Sequence, residues 1–186
     1  MKKNNANKVL LHSCCGICSA HPIKLLKELG YEPIAYFFNP NIFPLAEYQK
    51  RLDAQKRLCE KLDCELIVEH YNPELYNEII SGYESEPERG KRCKRCFELR
   101  LLKTVQKARE LNVGNFTTSI TTSPYKDFNV VSEIGEHFSG YFKINFLNID
   151  FKKKDGFLKS NKIAKELGLY RQDYCGCSLS AKLSVE

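Results

Sequence analysis

Three short apolar runs, separated by stretches of helical periodicity, most constrain how this chain can fold. Residues 8–12 (KVLLH), 33–38 (PIAYFF) and 65–69 (ELIVE) have strand length and are too short for helices. A helix is expected between the first two over residues 20–29, stopped by Gly30. A longer one is expected over residues 45–62, after Asn39-Pro40-Asn41 breaks the chain; Leu45, Tyr48, Leu52, Gln55 and Cys59 lie along one of its faces. Strand–helix–strand alternation implies right-handed crossovers and hence an α/β fold, an open parallel sheet with flanking helices. Loops at the C-terminal ends of such strands are where chemistry is expected.

The later pattern is less regular. It predicts a short helix over 72–80, a polar Gly/Pro-marked loop over 81–92, and a strong helix over 95–111 with Phe97, Leu101, Val105 and Ala108 on one face. A fourth strand follows at 115–120, then a helix at 130–138, a strand at 142–146, a helix at 158–167 and a C-terminal loop at 168–180. No repeat, low-complexity tract or domain boundary interrupts this, so residues 1–186 are expected to form a single domain.

Composition narrows the class. With 42% hydrophobic and 28% charged residues, 186 residues can bury a core without disulfide staples. No apolar run approaches the ~18 residues of a membrane span. The N-terminal stretch is basic but has no apolar core and no small-residue cleavage site, so a cytoplasmic protein with no membrane partner is expected. Lys+Arg 29 against Asp+Glu 23 gives +6, which permits a polyanionic partner without requiring one.

The unusual number is nine cysteines. A reducing compartment does not hold them as structural disulfides, so they must be buried fillers, metal ligands or redox-active thiols. Cys59, on the apolar face of a helix, and Cys64, opening a strand, read as buried fillers. The other seven fall at loop positions. Cys14, Cys15 and Cys18 lie between the first strand and the first helix, where backbone N–H groups and the helix dipole favour thiolates. Cys93-Lys94-Arg95-Cys96 opens another helix amid Arg89, Lys91, Arg92, Lys94 and Arg95, again a setting that favours thiolates.

Cys14, Cys15, Cys93 and Cys96 then make a four-thiolate set from two loops, suited to structural zinc or to an iron–sulfur cluster. Adjacent Cys14-Cys15 is awkward for one small tetrahedral ion and easier for a larger cluster, so the spacing favours [4Fe–4S]. Cys18 makes a fifth candidate for four places. In Cys175-Gly176-Cys177, the glycine relieves the backbone of the small ring that a disulfide would close. Such a ring is strained and easily reduced, which reads as a redox relay; a second pair of metal ligands is the other reading.

His12 reads as a hydrogen-bonded crevice residue rather than a ligand, and the other histidines form no metal motif. Tyr125 and Lys126, in the loop after the fourth strand, and Tyr170 and Arg171, before the last cysteines, offer stacking surfaces and cations for a splayed nucleotide; a tyrosine-rich loop packed on the sheet is the alternative. No GxGxxG or GxxxxGK occurs, which argues against a phosphate-cradling loop.

Leu10-Leu11-His12-Ser13-Cys14-Cys15-Gly16-Ile17-Cys18, Cys93-Lys94-Arg95-Cys96 with Leu99-Arg100-Leu101, Ser123-Pro124-Tyr125-Lys126, and Leu169-Tyr170-Arg171-Gln172-Asp173-Tyr174-Cys175-Gly176-Cys177 occur in this order. Together they resemble the QueH-type epoxyqueuosine reductases, over most of the chain. Gly16-Ile17 departs from the Ala-Pro frequent there. The resemblance implies an adenine-nucleotide-hydrolase-like (HUP-type) fold with cysteines in place of the ATP loop. It implies a single catalytic domain that reduces the epoxide of epoxyqueuosine in the tRNA anticodon loop to queuosine. It further implies a [4Fe–4S] cluster on Cys14, Cys15, Cys93 and Cys96, and a redox-active disulfide of Cys175 and Cys177. It leaves room for an additional mononuclear metal ion with no ligands assigned here.

Deoxygenating an epoxide takes two electrons and two protons, which an iron–sulfur centre, a dithiol and an external electron donor together can supply. The basic loop over residues 91–95 is expected to contact anticodon phosphates. Two other classes fit the residues taken alone: a zinc-stabilised RNA-binding module, and a thiol–disulfide oxidoreductase using Cys175 and Cys177.

Overall fold

A computed structural model describes residues 5–181. Five strands, β1 (Lys8–His12), β2 (Glu32–Phe37), β3 (Glu65–Val68), β4 (Asn115–Thr118) and β5 (Asn145–Phe146), form one sheet in the order β3-β2-β1-β4-β5. Every pairing is parallel, with His12 opposite Tyr36 on one side and Thr118 on the other. The helices are α1 (Gly16–Glu28), α2 (Leu45–Lys61), α3 (Pro73–Ile80), α4 (Lys91–Glu110), α5 (Phe128–Phe142), α6 (Gly156–Glu166) and a single turn α7 (Ser178–Ala181). None is long and apolar enough to cross a membrane.

Alternation along β1 divides the core. Val9 and Leu11 meet Ala20, Ile23 and Leu26 of α1, Leu58 of α2 and Ile163 of α6. Leu10 points the other way, with Ile34 and Tyr36, into Phe97, Leu101, Val105 and Ala108 of α4 and Val131 and Ile134 of α5. Both faces are covered, which is why these strands read as continuous apolar runs. Leu10 and Leu11 are fully buried, each worth about 1.5–3 kcal/mol of transfer free energy.

Several element ends differ from the sequence expectation, each for a local reason. α4 starts at Lys91 rather than 95, because Gly90 serves as its N-cap; Cys93 and Cys96 therefore both lie inside the helix. β4 ends at Thr118, whose hydroxyl accepts from the Ile120 amide and turns the chain into a 3-10 turn over Ser119–Thr122. α5 begins at Phe128, because the Asp127 carboxylate accepts from the Asn129 amide. β5 keeps only two ladder residues.

The sheet order reverses between β1 and β4, so the loops after these two strands open in opposite directions and leave a crevice at their C-terminal ends. The segment after β1 carries Cys14, Cys15 and Cys18. The segment after β4 carries Ser119 and Tyr125.

Candidate metal centre and active site

Cys15 is the N-cap of α1, and its Sγ accepts from the Cys18 amide at 3.3 Å. Pro22, inside α1, has no N–H for the Cys18 carbonyl four residues back. That carbonyl is taken by the Thr122 hydroxyl at 2.9 Å, which ties the cysteine turn to the segment after β4. Ser119 completes the tie: its Oγ accepts from the Cys14 amide at 3.0 Å and donates to Cys14 Sγ at 3.3 Å. The Sγ atoms of Cys14, Cys15 and Cys18 consequently lie within 4.8 Å of one another.

This triad forms part of the wall of a cavity of about 730 Å³ at the crevice. Cys93, Cys96, Cys175 and Cys177 line the same cavity, so the seven cysteines expected in loops share one space, with Cys18, Cys93 and Cys96 reaching it from the opening turns of helices. Cys93 and Cys96 do not join the mutual 4.8 Å group, whereas Cys18, which the four-thiolate set left out, does. Soft sulfur donors converging on one crevice fit an iron–sulfur group or zinc and suit hard cations poorly.

The thiols differ in proton affinity. Hydrogen bonds from Cys15 and Cys18 hold Cys14 well below the usual thiol range. Burial pushes Cys15 up to about 12, and Cys18 rises through its contacts with Cys14 and Cys15. For Cys96, the surrounding cations do not produce the expected thiolate; burial outweighs Arg100 and raises its pKa. His12 is fully buried, with Nδ1 3.0 Å from Thr118 Oγ1 and Nε2 3.1 Å from the Phe38 carbonyl; burial drops its pKa to about 4. It is a neutral crosslink between strands.

The C-terminal cysteines are free thiols in this structure. A hydrogen bond from Cys177, helped by Lys126 and Ser180, lowers Cys175 to about 5. Cys177 is correspondingly raised and lies 2.9 Å from the Tyr76 hydroxyl. Gly176 between them has φ +102, and a Cβ there would come 3.0 Å from both Arg51 Nη1 and Ile42. Arg51 grips this loop through Nη1 to the Cys175 carbonyl (3.2 Å) and Nη2 to the Tyr174 carbonyl (3.1 Å), while its Nε is paired with Glu47 at 2.7 Å. The Phe43 amide donates to the Gly176 carbonyl at 2.8 Å, and Tyr174 donates its hydroxyl to the Phe43 carbonyl.

The expected nucleotide contacts divide. Tyr125, Lys126 and Arg171 line the cavity; Tyr125 is 64% exposed, and the Lys126 ammonium is 3.1 Å from Glu88. Tyr170 is not among the lining residues, and its hydroxyl donates to Glu47 at 2.7 Å. Within the basic loop, Arg92 turns inward, buried, to the Glu84 carbonyl at 2.9 Å, and Arg95 pairs with Glu98. Lys91 and Lys94 stay exposed.

Sequence reasoning missed Arg51 and Tyr76, and quoted Arg100 and Gln172 within the family motifs without giving them a role. Gln172 donates to Cys15 Sγ at 2.7 Å. The Glu47/Arg51 spacing of four on a helix was a readable signal. So was the stripe Cys96, Arg100, Thr104, beside the apolar stripe of α4 and equally buried.

The family model described as epoxyqueuosine reductase QueH matches residues 9–183. An epoxyqueuosine reductase QueH from Streptococcus pyogenes serotype M1 is 33% identical, covering 98% of this chain and 73% of that protein. One from Thermotoga maritima is 31% identical, covering 92% of this chain and 89% of that protein. One from Helicobacter pylori is 36% identical over 96% of this chain, which spans half of that longer protein. In fold, the chain is similar to the U34-tRNA thiolase NcsA from Methanococcus maripaludis with its [4Fe-4S] cluster, at TM-score 0.59 and 17% identity, covering 98% of this chain and 65% of that one. It is also similar to a predicted subunit of a tRNA methyltransferase from Methanocaldococcus jannaschii, at TM-score 0.57 and 14% identity, covering 83% and 74%. With its parallel sheet, its cysteine-lined crevice and a family match across most of its length, the chain belongs to the QueH epoxyqueuosine reductase family.

Proposed function

We propose that this chain, as one catalytic domain, reduces the epoxide of epoxyqueuosine at the wobble position of tRNA to queuosine, in the cytoplasm. The observation that carries this reading beyond family membership is the single cavity lined by seven cysteines from three distant segments. Cys14, Cys15, Cys93 and Cys96 are the proposed ligands of a [4Fe–4S] cluster, with Cys18 close enough to exchange with one of them. When bound, such a cluster supplies single electrons and Lewis acidity.

The dithiol accounts for the rest of the stoichiometry. Oxidation of the Cys175 thiolate and the Cys177 thiol to a disulfide releases two electrons and one proton, and with a second proton from solvent these convert an epoxide to an alkene and water. An external donor then reduces the disulfide. Cys175 is disposed to be the thiolate and Cys177 to retain the proton, the division a coupled electron and proton donor needs. The Lys126 ammonium beside Cys175 holds that negative charge in place. Tyr125 and Arg171 at the cavity rim supply a stacking face and a cation for a splayed base and its phosphate. Tyr170 supports the loop through Glu47 and contributes to binding indirectly.

Protein purified without air and assayed for iron and sulfide, then incubated with epoxyqueuosine-bearing tRNA and a reductant, tests this directly. Brown protein and a queuosine nucleoside by mass analysis are expected. A colourless protein holding one zinc and leaving the nucleoside unchanged would overturn it in favour of an RNA-binding module. Turnover of generic disulfides by iron-free protein would favour a thiol–disulfide oxidoreductase.

A further inference from the structure

Three arginines are buried: Arg51, Arg92 and Arg100. Arg51 has a carboxylate partner in Glu47 at 2.7 Å. Arg92 donates to the Glu84 carbonyl and does not line the cavity. Arg100 lines the cavity while being only 6% exposed. Its Nε donates to the Cys96 carbonyl at 3.3 Å, and its guanidinium carbon sits 5.5 Å from the centre of the Phe97 ring. Among the described residues, no carboxylate lies within 4.0 Å of it, and neither Nη1 nor Nη2 has a hydrogen-bond acceptor.

Most of the Arg100 side chain is buried, and the Nη groups that open onto the cavity are free to take an anion that completes them. The wall it shares carries seven sulfurs and little acid. Glu88, on the same wall, is already paired with Lys126 at 3.1 Å. Asp173 also borders the cavity, beyond ion-pair distance of Arg100. Arg89 and Arg171 reach the cavity from exposed positions, where solvent weakens their field. Arg100 is the cation placed to act in low dielectric.

We propose that Arg100 is the counter-charge of the cavity's sulfur set: it donates its free N–H groups to the anionic sulfur held there and raises the reduction potential of that centre. The inference rests on the function proposed above. The direction of the redox effect is electrostatic: adding an electron makes the centre more negative, and a fixed cation nearby stabilises that state. Arg100 acts through the sulfurs, as a positioning and tuning residue.

The test is a spectroelectrochemical titration of anaerobically purified wild type, Arg100→Gln and Arg100→Lys. Arg100→Gln is expected to move the midpoint potential of the bound centre to more negative values, with Arg100→Lys staying near wild type. An unmoved potential in Arg100→Gln overturns the inference, and so does an equal shift in both variants, which would make shape rather than charge the cause. If Arg100→Gln binds no iron, iron binding at the wild-type potential by Arg100→Lys supports the counter-charge role, and failure of both overturns it. Wild type without iron and sulfide sinks the proposed function and this inference with it, whereas iron present with an insensitive potential sinks the inference alone.

Discussion

Two pairs of thiols in this molecule have the same internal arrangement and different surroundings. Cys59 and Cys64 flank the end of α2, and Cys175 and Cys177 lie two residues apart in the C-terminal loop. In each pair, one sulfur is held down by a hydrogen bond from the other, whose own pKa rises. Cys59 is buried among Val9, Leu11 and Leu58, with Gln55 Nε2 donating to it at 3.2 Å. Cys64 is half-buried rather than the fully buried filler its sequence position suggested, and its thiol donates to the Pro33 carbonyl at 3.2 Å. Cys175 faces a cavity, has Lys126 nearby, and rides on a loop gripped by Arg51. Contact between sulfurs decides which one holds the proton. A neighbouring cation and an open space decide whether the charge can do chemistry.

The sharpest way to break this contrast is Cys175→Ala. Turnover should be lost, because Cys177 alone cannot close the disulfide that releases two electrons, while iron content stays at the wild-type level. Iron loss in this variant would mean that Cys175 is a metal ligand and that the division between cluster and dithiol is wrong. Next comes Arg51→Ala, which strands the buried Glu47 carboxylate and frees the loop. A destabilisation of about 3–5 kcal/mol is expected, read from denaturant unfolding together with loss of turnover. Unchanged turnover would show that the loop needs no clamp.

The pH dependence of alkylation tests the contrast directly. With its pKa near 5, Cys175 is a thiolate above that pH and gains a proton only as pH falls through it. Its iodoacetamide rate should change little from pH 8 to 6, whereas an ordinary thiol slows about tenfold per pH unit below its pKa of roughly 8.5. Peptide mapping of the alkylated protein reads both sites at once. A Cys175 rate that falls tenfold per unit over this range would show that Cys177 and Lys126 do not hold its charge. The smallest effect is expected for Cys59→Ala, about 1 kcal/mol in stability, with turnover within twofold of wild type; a large loss of turnover would mean that the second pair also takes part in the reaction.

Legibility from sequence followed regular structure. Strands β1 and β2 and helices α2 and α4 were readable because burial on both faces leaves apolar runs and helical burial leaves stripes, while β3, an edge strand with no fully buried residue, showed through its short apolar run alone. The ends of α4 and α5 depended on caps at Gly90 and Asp127, single residues that periodicity does not weigh. The division of the basic loop was hidden for another reason. Arg92 and Arg95 look alike in sequence, and only the path of the chain turns one inward and leaves the other at Glu98. Tyr170 and Arg171 are neighbours that part in the same way, one to Glu47 and one to the cavity.

Sequence alone determined the class of architecture, the sorting of nine cysteines into loop and core, and the family, because these depend on residue type and spacing along the chain. Tertiary structure decided which sulfurs share a space, that Cys18 stands with Cys14 and Cys15, and that Arg51 and Arg100 back the site from different helices. Those facts depend on through-space distance and dielectric. Both arise only when β1 and β4 lie side by side and bring residues a hundred positions apart within hydrogen-bonding reach, as Ser119 is of Cys14 at 3.0 Å.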